Sequence, residues 1–175
     1  MTLSVPPFKE FIASAEKVNR GWHQWFNNAW RAINGLEYKS YYFVHKDGTD
    51  QNITGGSETL LTWAVADYDT QSEVDLTNNK WVCGKTGVYL VSCTVSFAVD
   101  TDQDRLYLNV YKDATKIIQV RSSAAATGDE ALSVSHAVYL AKNEEITFKV
   151  ENTDNNDTIR GGSHQTFFSI YRLGD

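Results

Sequence analysis

Val88-Tyr89-Leu90-Val91-Ser92-Cys93-Thr94-Val95-Ser96-Phe97-Ala98-Val99 decides the fold. Tyr89, Val91, Cys93, Val95, Phe97 and Val99 fall on one side of an extended chain, and Ser92, Thr94, Ser96 and Ala98 on the other. That alternation is the period of a strand with one face in a core. It recurs outward in Leu106, Leu108, Val110, in Leu132, Val134, His136, Val138, Leu140, and in Ile146, Phe148, Val150. The position of His136 in such a row predicts a hydrogen-bonded core residue rather than a catalyst. Turn-forming stretches separate the rows: Asp100–Asp104, Thr127–Asp129 and Asn152–Asp157. With Tyr41–His45, Leu60–Val65, Lys116–Val120 and Gln165–Leu173 added, the spacing predicts eight to ten strands and no helix from residue 38 onward. The expected architecture is a mainly β, antiparallel jelly-roll sandwich. Some strands are apolar on both sides. Tyr107 and Tyr111 oppose the Leu106 row, and both Phe167/Tyr171 and Phe168/Ile170 call for burial. A second apolar face needs a second partner, for which another copy of the chain is the natural choice.

Before residue 38 the period is different. Phe8, Phe11, Ala15, Val18, Trp22, Trp25, Ala29, Ala32 and Leu36 step alternately by three and four, a heptad stripe flanked by Ile12, Phe26 and Ile33. Pro6-Pro7 suits a helix start and Asn34-Gly35 a helix stop, although Gly21 leaves open a break into two helices. The pattern admits an amphipathic helix packed on its own domain. The bulk of Trp22, Trp25 and Trp30 favours a coiled coil of three or more helices. Residues 1–37 are therefore expected to be a helical trimerisation and anchoring stem, and residues 38–175 the head.

The net charge is −6, placed unevenly: residues 1–39 hold five basic and three acidic side chains, so the rest is acidic. Without a Lys/Arg cluster, phosphate-tracking nucleic-acid binding is excluded as an expectation. No run of about 18 apolar residues predicts a membrane span. Met1–Lys9 lacks the basic and apolar regions of a signal peptide, so export by that route is not expected. Cys83 and Cys93 flank Gly84–Gly87; a hairpin there would leave them about five residues, roughly 17 Å, out of register, too far for a disulfide. They are read as reduced core thiols.

The order of motifs resembles the C1q/TNF-like jelly-roll family. Trp81 followed by Lys85-Thr86-Gly87-Val88-Tyr89-Leu90-Val91-Ser92 is similar to its aromatic, Gly-x-Tyr and strand. Leu106–Asp113 resembles its middle strand and turn, Ser133–Leu140 and Glu145–Val150 its next strand pair, and Phe167–Leu173 its closing strand. Lys142-Asn143-Glu144-Glu145 stands where the family usually has Gly-Asp, and Ser169 where it often has glycine. The resemblance implies a homotrimer about a three-fold axis, lined by Tyr107, Tyr111, Phe168 and Ile170. It also raises Ca²⁺ at Asp100, Asp102 and Asp104, the carboxylates otherwise belonging to a solvated turn.

No nucleophile elbow, Walker loop, zinc-spaced Cys/His set or HExxH occurs, so no enzyme and no other cofactor are expected. An aromatic-rich helix feeding into such a head is similar in layout to small trimeric fibre or decoration proteins of tailed bacteriophages. That analogy predicts a virion protein assembled in the host cytoplasm, its stem docked on other virion proteins and its head contacting a host glycan or protein. Capsid decoration is one alternative and a secreted C1q/TNF-like ligand or lectin is another.

Overall fold

The structure, a computed structural model, describes residues 25–30, 40–100, 105–124, 127–153 and 157–174. The chain divides into two compact units, Met1–Tyr38 and Lys39–Asp175. Of the first, residues 25–30 are described and form a short helix in which Trp25 and Phe26 are exposed and meet edge-to-face at 5.1 Å. Of the heptad stripe, Trp25 and Ala29 fall here; Phe8, Phe11, Ala15, Val18, Trp22, Ala32 and Leu36 lie outside the described residues, and with them the trimeric stem.

The second unit is an antiparallel sandwich of thirteen strands among the described residues: β1 (Tyr41–His45), β2 (Gln51–Asn52), β3 (Thr59–Leu60), β4 (Val65–Asp69), β5 (Val74–Asp75), β6 (Lys80–Val82), β7 (Gly87–Val99), β8 (Arg105–Lys112), β9 (Thr115–Ser123), β10 (Gly128–Leu140), β11 (Glu145–Asn152), β12 (Thr158–Ile159) and β13 (Phe167–Gly174). Sheet I holds β10 along one edge of β7. Along the other edge β13, β1 and β4 follow in turn, and β12 and β2 pair beside the far end of β7. Sheet II runs β5-β6-β11-β8-β9, with β3 also on β11. The main chain crosses between sheets after β2, β3, β4, β6, β7, β9, β10 and β11, the jelly-roll pattern.

The alternation in β7 sends Tyr89, Val91, Cys93, Val95, Phe97 and Val99 inward, each at most 4% exposed. Leu106, Leu108 and Val110 of β8 and Ile146, Phe148 and Val150 of β11 meet them from sheet II. Aromatic rings lock the two layers together. Trp63 lies 4.8 Å from Phe168 and 5.9 Å from Phe148, and Trp81 lies 5.6 Å from Tyr42 and 5.1 Å from Tyr89.

Three local expectations change. Leu60–Val65 is not one strand: β3 belongs to sheet II and β4 to sheet I, and the crossing between them buries Leu61 and Trp63. The Asn79 side chain accepts the Trp63 N–H at 2.8 Å, so this backbone is satisfied without a ladder. Gly84–Gly87 is not a hairpin but a crossing from β6 in sheet II to β7 in sheet I. Cys83 and Cys93 are nonetheless free and buried, and burial pushes both thiols up. His136 is exposed, although Leu132, Val134 and Leu140 of the same row on the edge strand β10 are buried.

Glycine is needed at Gly161, where an added Cβ would run into the backbone of Gly48 and Thr49. That close approach brings the Gly161 N–H to Asp50 Oδ1 at 2.8 Å, while Arg160 bridges Asp50 and Asp129, each at 3.2 Å.

Candidate assembly and recognition face

The register of sheet I gathers rings on its outer side. Tyr41 pairs with Tyr171, Phe43 with Ser169 and His45 with Phe167, while Phe43 pairs with Tyr68 across the other edge of β1. Ring centroids lie 5.5 Å apart for Tyr41–Tyr68, 6.3 Å for Tyr41–Tyr171 and 5.5 Å for Phe43–Phe167. Tyr41, Tyr68, Tyr171 and Leu173 are 39–55% exposed. Next to this cluster, outward-facing Ser92 meets Ser135 at 2.8 Å, and Thr94 meets Ser133 at 2.9 Å. Hydroxyls that satisfy one another leave a low, even surface instead of projecting tips. Over the whole outer side of β1, β7 and β13 the sequence places no Asp, Glu, Lys or Arg. His45 is the titratable exception at the margin, its Nε2 3.3 Å from Asp67 and its Nδ1 2.6 Å from the Lys46 carbonyl.

Sheet II presents a different outer side. Glu58 accepts from Tyr111 Oη at 2.6 and 2.8 Å, from Asn109 Nδ2 at 2.9 Å and from Lys116 at 2.7 Å. The Lys149 ammonium stands 4.0 Å from Glu58 and 4.2 Å from the centre of the Tyr111 ring. Asn109 in turn accepts from Gln119 at 2.9 Å. Burial opposes the charge on Glu58, but the hydrogen bonds from Lys116 and Tyr111 and the two ammonium groups outweigh it, so its carboxyl sits below the usual range. Hydrogen bonding to Glu58 raises both the Tyr111 phenol and the Lys116 ammonium. This surface is self-sufficient in water.

The jelly-roll topology finds its counterpart in known proteins, for the TNF (Tumour Necrosis Factor) family profile matches residues 61–173. The chain belongs to that family. Solved structures of the family's fold superpose on it at low identity. An Eiger TNF from S. frugiperda has a TM-score of 0.61 at 15% identity, over 78% of this chain and 94% of its own. Murine APRIL at pH 5.0 gives 0.61 at 14% identity, over 77% of this chain and 99% of its own. The globular domain of zebrafish complement 1qA gives 0.54 at 12% identity, over 77% and 98%. No curated protein matches the sequence.

Within this TNF-family head, Tyr107, Tyr111, Phe168 and Ile170 do not form one surface. Phe168 and Ile170 are 1% and 0% exposed and point between the sheets, so neither is available to line an axis. Tyr107 and Tyr111 lie on sheet II, Tyr111 engaged with Glu58. Phe167 and Tyr171 call for burial in the sequence itself, whereas Tyr41, Phe43 and Tyr68, which join them on this surface, are not singled out there. A core residue at 168 or 170 forces Phe167 and Tyr171 outward.

Of the Asp100, Asp102 and Asp104 set, the last two lie outside the described residues. The Asp100 N–H donates to Asp157 Oδ1 at 3.3 Å, and Asp157 Oδ2 accepts from Asn152 at 3.0 Å. Among the described residues no group of His, Cys, Asp and Glu is arranged to hold a metal, and no helix is long and apolar enough to cross a membrane.

A buried carboxylate fastens the first strand of the head. Glu73 accepts from Tyr42 Oη at 2.5 Å, Ser40 Oγ at 3.0 Å and the Gly84 N–H at 2.9 Å. Burial first, and the Glu73 hydrogen bond second, push the Tyr42 phenol far up, so it remains a donor at any ordinary pH.

Proposed function

We propose that this chain is a homotrimeric ligand of the TNF/C1q-like kind, in which three heads meet through the outer side of sheet I and the assembly binds a cell-surface protein without catalysis. The observation that carries the reading is the uncharged face built on Tyr41, Phe43, Tyr68, Phe167 and Tyr171. A contiguous apolar surface of this kind marks an interaction site on a soluble domain. A symmetric homo-oligomer is the commonest way to cover one. Family membership supports the same assignment, and with it a receptor as partner. The phage-fibre layout, by contrast, has no counterpart among the Eiger, APRIL and complement 1qA neighbours.

Hydroxyl-radical footprinting of the full chain, with its mass fixed by light scattering, tests the reading. In a three-chain particle, Tyr41, Tyr68 and Tyr171 should be protected and Tyr107 should remain reactive. A monomeric mass at micromolar concentration, or a trimer in which the sheet I tyrosines react as freely as Tyr107, overturns it.

A further inference from the structure

The open end of the β8–β9 hairpin gathers a set of donors. Arg105 pairs across the ladder with Ser123, and Tyr107 with Arg121, so Arg105 and Arg121 stand diagonally on the same outer side of sheet II. With Ser122 and Ser123 they line a cleft of about 330 Å³. Neither guanidinium has a carboxylate within ion-pair distance among the described residues. Five other cations of this acidic domain are ion-paired: Lys80 to Glu145, Lys112 to Glu144, Lys116 and Lys149 to Glu58, and Arg160 to Asp50 and Asp129.

Charges on an edge strand such as β9 also discourage unwanted strand pairing. That role asks only for charge along the edge. It does not call for two guanidiniums beside a hydroxyl in a single cleft, with no carboxylate among the described residues to neutralise them. A planar fork of N–H donors matches two oxygens of a sulfate, phosphate or carboxylate, and a hydroxyl supplies a further donor.

We propose that this cleft is an oxyanion-binding subsite, in which the Arg105 and Arg121 guanidiniums and the Ser123 hydroxyl take a sulfate or phosphate monoester carried by a larger ligand. The site is complete within one protomer and lies on the opposite sheet from the proposed trimer face, so it stands whether or not that assembly does.

Calorimetric titration of the full chain with sucrose octasulfate and with inositol hexakisphosphate, at matched ionic strength, tests it. Saturable binding is expected for at least one probe. R105Q and R121Q should each weaken it by about tenfold or more, as expected for a lost charge-assisted hydrogen bond. R105K and R121K, which keep the charge but lose the fork, should weaken it less, and K142Q, an exposed cation elsewhere, should leave it unchanged. A preference for the octasulfate assigns the ester to a sulfated saccharide and a preference for the hexakisphosphate to a phosphate ester. Absence of saturable heat with both probes, or an equal loss in K142Q, overturns the proposal. Melting curves of each variant confirm that the loss is not unfolding.

Discussion

Outside β1, β7 and β13, sheet I offers rings and small hydroxyls with no Asp, Glu, Lys or Arg, while the outside of sheet II places Glu58 among Lys116, Lys149, Tyr111 and Asn109. Both sheets use the same alternation to fill the core, so the difference does not come from folding the sandwich. In the proposed assembly it comes from what each outer side faces. Water accepts charged groups at little cost, and paired surface ions add little stability, so sheet II is finished as it stands. Aromatic surface left in water gives up about 25 cal/mol per Å² that burial would return, so covering sheet I in the proposed assembly would be favourable.

The sharpest break of that contrast comes from neighbouring residues of β13. Phe168→Ala removes a ring packed on Trp63 and Phe148 and should destabilise the head by about 3–5 kcal/mol in urea unfolding. Tyr171→Ala, three residues on and 45% exposed, should cost the isolated fold far less. Equal losses would mean that the outer side of sheet I is part of the core.

Placing charge on each sheet separates the faces next. The pair Phe43→Lys with Tyr171→Lys puts two ammonium groups where no charge stands, and desolvating them on association is costly. The mass by light scattering should fall toward that of smaller species, or the head contacts should open to footprinting if the N-terminal segment keeps the chains together. Tyr107→Lys on sheet II should leave mass and footprint unchanged. The reverse outcome would move the interface to sheet II.

Period-two alternation made the sandwich readable in the sequence, because a buried row needs a partner row and so declares its strands. It could not say which of two apolar rows faces inward. In Phe167-Phe168-Ser169-Ile170-Tyr171 both rows qualify, and the choice is made by the opposing side of the core, where Phe148 of sheet II and Trp63 of the β3–β4 crossing wait for Phe168. Trp63 itself sits in the crossing from β3 to β4, a segment whose apolar residues read as a strand and whose backbone is satisfied by Asn79. Glu58, Lys116 and Lys149 are far apart in the sequence and meet only through the pairing of β3, β11, β8 and β9, so nothing local announced them. The paired arginines were equally silent, since the spacing of Arg105 and Arg121 has meaning only once the β8–β9 register is set.

A smaller effect probes the self-sufficiency of sheet II through pH. The Glu58 carboxyl titrates lower in the folded protein than in the unfolded chain, where its value is about 4.3. Its contribution is therefore complete above about pH 4.3 and is lost as the pH falls through the lower folded value. Glu58→Gln should be less stable than the parent at pH 7, and the gap should narrow on acidification to pH 3, read from urea midpoints at fixed protein concentration. A gap independent of pH would show that the charge on Glu58 contributes nothing.

The smallest change is one oxygen. Tyr111→Phe keeps the ring under the Lys149 ammonium, 4.2 Å from its centre, and deletes only the hydroxyl that donates to both oxygens of Glu58. A hydrogen bond to a carboxylate already held by Lys116 and Asn109 should contribute about 0.5–1.5 kcal/mol. The same deletion removes one of the causes that hold the Glu58 carboxyl low, so the acid end of the stability profile should move to higher pH. The two readouts are linked: the hydroxyl stabilises the fold by as much more at pH 7 than at pH 3 as it lowers the titration of Glu58. If Tyr111→Phe lowers stability equally at both pH values, the hydroxyl acts as a packing group and not as part of the charge network. The network on sheet II would then rest on Lys116 and Lys149 alone, and its contrast with sheet I would be one of charge and not of hydrogen bonding.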